Sequence, residues 1–127
     1  MRAYERLDAW GRCHELTLAV YRATETFPKN ELYGLTSQIR RAAVSAATNI
    51  AEGSAKRGPA EFARFLDIAV GSLNEVSYLL RLAHDLALLS PDAHSRLEAI
   101  RDEAGILTWR LFQAIRRAAS EKRKRTV

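Results

Sequence analysis

Gln38-Ile39-Arg40-Arg41-Ala42-Ala43-Val44-Ser45-Ala46-Ala47-Thr48-Asn49-Ile50-Ala51-Glu52-Gly53 decides the fold. Ile39, Ala42 or Ala43, Ala46 and Ile50 recur at three- and four-residue spacing, which puts them on one side of a helix. Alanine dominates that side, so a neighbouring helix can come close. Arg40, Arg41, Ser45, Thr48, Asn49 and Glu52 fall on the other side. Gly53 stands where a helix C-terminus favours a residue free to adopt positive φ.

Outward from this stretch, helical periodicity recurs on both sides. Leu7, Trp10, Cys13 or His14, Thr17, Val20 or Tyr21, and Thr24 predict a first helix from about Leu7 to Thr26. Pro28 prevents its continuation. Leu32-Tyr33-Gly34-Leu35 reads as a short apolar clip, because Gly34 weakens it as the interior of a long helix. The second helix then runs from about Leu35 to Ala51. After the connector Gly53-Ser54-Ala55-Lys56-Arg57-Gly58, Pro59 suits a first helical turn, and Glu61 complements the helix dipole there.

The third helix is predicted from about Pro59 to Leu88. Phe62, Phe65 or Leu66, Ala69, Leu73, Val76, Leu80, Ala83 and Ala87 form its stripe, widened by Ile68, Leu79, Leu82 and Leu86. Ser90 reads as an N-cap, with Pro91 and Asp92 in the first turn of a fourth helix that reaches about Ala119. Leu97, Ile100, Ala104, Leu107, Leu111, Ala114 and Ala118 resemble a heptad seam. Ile106 and Trp109 lie off it. They either cover a helix edge or mark a subunit interface, where aromatic anchors are enriched. Short connectors make successive helices antiparallel neighbours. The expected architecture is all-α: an up-down-up-down antiparallel four-helix bundle in one domain, 1–127, with a basic C-terminal tail from about residue 116.

Composition agrees with this class. The 127 residues are 47% hydrophobic and 28% charged, with only six Gly and three Pro. No run of about 18 uncharged apolar residues exists, so no membrane span is expected. Met1-Arg2-Ala3-Tyr4-Glu5-Arg6 lacks the apolar core of a signal peptide. The one cysteine, Cys13, excludes an intrachain disulfide and a multi-cysteine metal site. A cytoplasmic protein is the natural reading.

The formal net charge is +5 and the isoelectric point about 9.8. Arg116, Arg117, Lys122, Arg123, Lys124 and Arg125 crowd the C-terminal end against Glu121 alone, and the rest of the chain sums close to neutral. These six cations either solubilise a helix end and complement its dipole or bind phosphates. No aromatic residue interleaves with them, so base stacking is not suggested.

Catalytic signatures are missing. Cys13 and His14 diverge by about 100° as helix neighbours, so they form no nucleophile–base pair. A buried, inert thiol is the expected role for Cys13. The residues three places before His14, His84 and His94 are Gly11, Arg81 and Pro91, so the Glu-x-x-His pattern of di-iron bundles is absent. His94 and Glu98 are spaced to pair on a helix surface. No catalytic residue, metal ligand or cofactor site is expected.

The Gln38–Gly53 stretch also resembles the bacterial four-helix-bundle family of 23S rRNA intervening-sequence proteins, which includes the accessory variability determinant of diversity-generating retroelements. Glu61-Phe62, Phe65-Leu66-Asp67-Ile68-Ala69-Val70-Gly71-Ser72 and Glu75 carry the rest of the resemblance, which covers nearly the whole chain. It assigns structural roles to Arg40, Arg41, Asn49, Glu52, Gly53, Gly71, Ser72 and Glu75. Read from the residues themselves, Asn49, Glu52, Ser72 and Glu75 are polar groups in otherwise apolar neighbourhoods, which points to cross-helix hydrogen bonding and ion pairing with Arg40 or Arg41 as partners; a polar pocket at the turn after the second helix is the alternative. The resemblance further implies a ring-shaped homopentamer with a central pore, and a role beside a reverse transcriptase and its RNA or cDNA. Relatives commonly carry Pro where this chain has Ala47, which implies a straighter second helix here. The expected function is non-enzymatic binding of nucleic acid or a nucleoprotein by an oligomer; the alternative is a protein-interaction module.

Overall fold

The computed structural model describes residues 1–126. Four helices carry the fold: α1 (Asp8–Thr24), α2 (Ser37–Ser54), α3 (Pro59–Asp85) and α4 (Pro91–Arg125). Each packs on the next, and α4 closes on α1. Successive helices are antiparallel. Across the α2–α3 seam Ser45 pairs with Ser72, and Gly53 meets Phe62 and Phe65. One core runs through all four helices and includes Cys13, Leu16, Val20, Ile39, Ala43, Ile50, Leu66, Val76, Leu80 and Ala104.

Helix starts follow the local chemistry. Ser90 accepts a hydrogen bond from the Ala93 N–H at 3.1 Å, and Pro91 opens α4. Gly58, at φ 84°, precedes Pro59 at the start of α3. Before α2, the Leu32-Tyr33-Gly34-Leu35 clip forms a π turn, Leu32–Thr36, broken at Gly34 with φ −111° and ψ −111°. Helix α2 therefore begins at Ser37 rather than Leu35, and it runs unbroken through Ala47.

All four predicted helix ends differ: α1 stops at Thr24 rather than Thr26 and α2 runs on to Ser54 rather than Ala51, while the other two differ for clearer physical reasons. Helix α3 stops at Asp85, because Ala87 takes φ 60°. The Leu88 N–H then reaches the Ala83 carbonyl and the Ala87 N–H the His84 carbonyl, both at 2.9 Å, a Schellman closure. Ala87 belongs to this cap and not to the core stripe. An L-residue in that conformation costs roughly 1 kcal/mol that glycine does not. Ala87→Gly is thus expected to raise the urea midpoint, by a stability gain of up to about 1 kcal/mol. No gain would mean that the cap is unstrained.

Helix α4 does not end near Ala119; it continues to Arg125, so the basic end is helix. Its buried face also departs from the predicted seam. Leu97, Ala104, Thr108 and Phe112 are buried, whereas Ala114 and Ala118 are exposed. An α-helix repeats every 3.6 rather than 3.5 residues, so Thr108 and Phe112 become the most buried positions while Ile100, Leu107 and Leu111 stay packed, half-buried, beside them.

Gly53 does not cap α2 at positive φ. The helix continues to Ser54, and the only positive-φ glycine among the described residues is Gly58. A Cβ at Gly53 would lie 2.8 Å from Phe65 Cβ and 2.9 Å from Phe62 Cδ1. Glycine is there so that α3 can press against the α2 backbone.

Candidate functional site

The α2–α3 connector, the start of α3 and the end of α4 share one pole of the bundle. Lys56 and Arg57 on the connector are exposed, like Arg116, Arg117, Lys122, Arg123, Lys124 and Arg125 on α4. Sequence reasoning finds the six α4 cations but misses Lys56 and Arg57. Antiparallel topology is the available signal, since it returns the α2–α3 connector to the end of α4.

Two hollows flank the α3–α4 seam. One, of about 650 Å³, is lined by Arg116, Arg117 and Arg123 of α4, with Ala60 and Ala63 of α3 as part of its floor. The other, of about 290 Å³, is lined by Arg57 and Gly58 on one side and Lys122 and Arg123 on the other. Lys122 Nζ stands 3.4 Å from where a Gly58 Cβ would lie. The first N–H groups of α3 add positive potential to this pole. Of the nearby carboxylates, Glu61 is bound to Arg64 at 3.3 Å. Arg116 packs over Phe112 at 5.1 Å and Lys56 over Phe65 at 5.2 Å, which steadies two of the cations.

The motif residues divide. Ser45 and Ser72 hydroxyls lie 2.8 Å apart, and Asn49 Nδ2 donates to the Ser45 carbonyl at 2.8 Å and to its hydroxyl at 3.1 Å. A cross-helix hydrogen bond is present there, but its partner for Ser72 is Ser45 rather than Arg40 or Arg41, and Asn49 bonds within its own helix. The expected ion pairs with Arg40 or Arg41 are absent among the described residues. Arg40 turns instead to α1, donating to Thr24 Oγ1 at 2.8 Å and lying over the Tyr21 ring at 4.7 Å. Arg41 and Glu75 are exposed and line a groove of about 500 Å³ with Tyr33, Gln38 and Ser45, in no ion pair among the described residues. Glu52 is exposed on the far side of α2, toward α1. Gly71 has open space where a side chain would be.

Cys13 is fully buried, with Sγ 3.5 Å from Thr108 Oγ1. Burial pushes its thiol up to about 11, against a partial pull down from Thr108. The neutral thiol is the form that suits the fold. Its contribution is full below the unfolded value near 9 and is lost as pH rises through about 11. The stability difference between the parent and Cys13→Ala is therefore expected to shift against the parent by about 2 kcal/mol between pH 8.5 and 11. Denaturant titrations at both pH values check this. A pH-independent difference would mean that the thiol sits in a well-solvated site. Thiol reagents should label it slowly in the folded chain.

His94 Nε2 lies 3.3 Å from Glu98 Oε1, the proximity expected from spacing, but it is not a surface pair: the imidazole is largely buried against the His84 ring at 4.3 Å, and this nitrogen makes no hydrogen bond among the described residues. No group of three or more His, Cys, Asp or Glu able to hold a metal occurs among the described residues. No helix among them is long and apolar enough to cross a membrane. Ile106 and Trp109 are 53% and 44% exposed, which leaves two large apolar side chains on the outer surface of α4.

A family model described as 23S rRNA-intervening sequence protein matches residues 5–108. No curated protein matches the chain. Among solved structures, the chain is similar to a protein of unknown function from the S23 ribosomal protein family of Bacteroides thetaiotaomicron VPI-5482. The TM-score is 0.73 at 20% identity, over 82% of this chain and 97% of that one. At that identity the likeness speaks to the fold. The family match, which stops just short of the basic end, places the bundle itself: the chain belongs to the family of 23S rRNA-intervening sequence proteins.

Proposed function

We propose that this protein is a non-enzymatic, cytoplasmic homo-oligomer that binds nucleic-acid backbone at its basic pole, alone or within a nucleoprotein such as a reverse transcriptase complex. The observation that carries the reading is the convergence of Arg57 with Lys122 and Arg123 around the start of α3, beside Arg116 and Arg117. Cations from two elements on one rigid pole can engage neighbouring phosphates together. Exposed Ile106 and Trp109 support self-association, for which a pentamer is the favoured state. Several poles on one assembly would raise avidity through effective concentration. The contacts favour phosphates over bases, so sequence preference should be slight.

Fluorescence anisotropy with a labelled RNA and a labelled DNA duplex tests this at low salt, beside light scattering of the same sample. Binding and a mass several times 14.3 kDa are expected. Truncation after Ala119 should keep the number of subunits and lower the affinity. A monomer that ignores both nucleic acids would leave the protein-interaction module as the better reading, with Ile106 and Trp109 as its contact surface.

A further inference from the structure

The hollows at the basic pole, the groove beside Arg41 and the recess beside Lys29 and Arg40 all carry arginine or lysine in their walls. The groove between α1 and α2 does not. It has a volume of about 320 Å³, and its walls include Tyr4, Trp10 and His14 on one side and Ala47, Ala51 and Glu52 on the other. Tyr4 comes from the short turn Ala3–Arg6 that packs beneath the end of α2.

The aromatic wall is already arranged. Trp10 stacks on His14 with ring centroids 4.9 Å apart and planes 8° apart. Tyr4 meets Trp10 edge-on at 4.8 Å. Small residues on α2 leave the groove open opposite these rings. Glu52 supplies the one carboxylate among the lining residues, and it makes no ion pair among the described residues.

Aromatic walls with a single unneutralised carboxylate select by charge. Ring faces attract a cation and Glu52 can accept its hydrogen bonds, while the apolar lining takes an alkyl stem. An anion would meet repulsion from Glu52 with no arginine or lysine among the lining residues to offset it. A neutral ligand covering Glu52 would strip water from the carboxylate and leave its charge uncompensated. We propose that this groove binds an organic cation, a guanidinium or alkylammonium group, with its charge on Glu52 and its stem against Trp10 and Tyr4. The same chemistry is offered by a free amine and by an arginine from the basic end of another copy.

Tryptophan emission reads the site directly. The chain holds two tryptophans, so Trp109→Phe leaves Trp10 as the reporter, and light scattering must show that this variant keeps the parent's assembly before the arms are compared. In that background, agmatine is titrated into the full chain and into the chain truncated after Ala119, with butylurea as the neutral counterpart. A saturable change with agmatine and none with butylurea is expected. Glu52→Gln should weaken it about tenfold, with unchanged circular dichroism. If an arginine of another copy is the occupant, the full chain needs more agmatine than the truncated one; if a free amine is, the two titrate alike. Lack of a saturable change in both chains, equal binding by Glu52→Gln, or equal binding of butylurea would overturn the assignment.

Discussion

Gly53→Val is expected to cost about 3 kcal/mol of stability, read as a fall in the urea midpoint at constant slope. Gly53→Ala should cost about 1–2 kcal/mol, although alanine is the better helix former by about 1 kcal/mol. The sign is set by what the new Cβ meets. Phe62 Cδ1, at 2.9 Å, belongs to a ring that can turn away. Phe65 Cβ, at 2.8 Å, is tied to the α3 backbone and cannot. Relief therefore requires α2 and α3 to separate, which strains the Ser45–Ser72 hydrogen bond further along the same seam. Adding Phe62→Ala to Gly53→Ala should recover only part of the loss, once the cost of Phe62→Ala alone is subtracted. Adding Phe65→Ala should recover none of the Cβ clash, because alanine keeps that atom. A Gly53→Ala protein as stable as the parent would mean that the seam is not closely packed at this point.

Gly53 also marks where sequence reading stops. A glycine after a helical run signals a C-cap by propensity alone, and close approach to a partner helix leaves the same letter. The number and order of helices are legible because apolar spacing near 3.6 is a strong signal and Pro28, Pro59 and Ser90-Pro91 punctuate it. Thr108 escapes such a reading because a hydroxyl suggests surface; it is buried against Cys13. Phe112 escapes it because a heptad seam has a slightly shorter period than the α-helix itself. Proximity in sequence puts Arg40 with the polar motif, whereas its side chain crosses to Thr24 and Tyr21 on α1. The six α4 cations need only composition to be noticed. Lys56 and Arg57 need topology as well, and the groove around Glu52 needs the three-dimensional return of Tyr4.

Reversing charge at the basic pole should abolish nucleic-acid binding under conditions where the same reversal at the other pole does not. Arg57→Glu/Lys122→Glu/Arg123→Glu and Arg22→Glu/Lys29→Glu/Arg96→Glu each take the formal net charge of +5 to −1, since each reversal removes two charges. The two sets sit at opposite ends of α3, whose 27 residues span about 40 Å at the standard helical rise. That is several Debye lengths at about 0.15 M salt, so the remote set is screened from a strand at the basic pole. The local set frees about three phosphates and adds repulsion, which lowers affinity by about 100-fold or more. It should also flatten the salt dependence by about 2–3, at roughly 0.7–0.9 for each phosphate no longer neutralised. The remote set should stay within about threefold of the parent. Anisotropy titrations across a salt series give both quantities from one data set. Equal effects of the two triples would make net charge the cause and dissolve the site. A large fall in affinity confined to Arg57, Lys122 and Arg123 would tie binding to the place where the α2–α3 connector meets the end of α4.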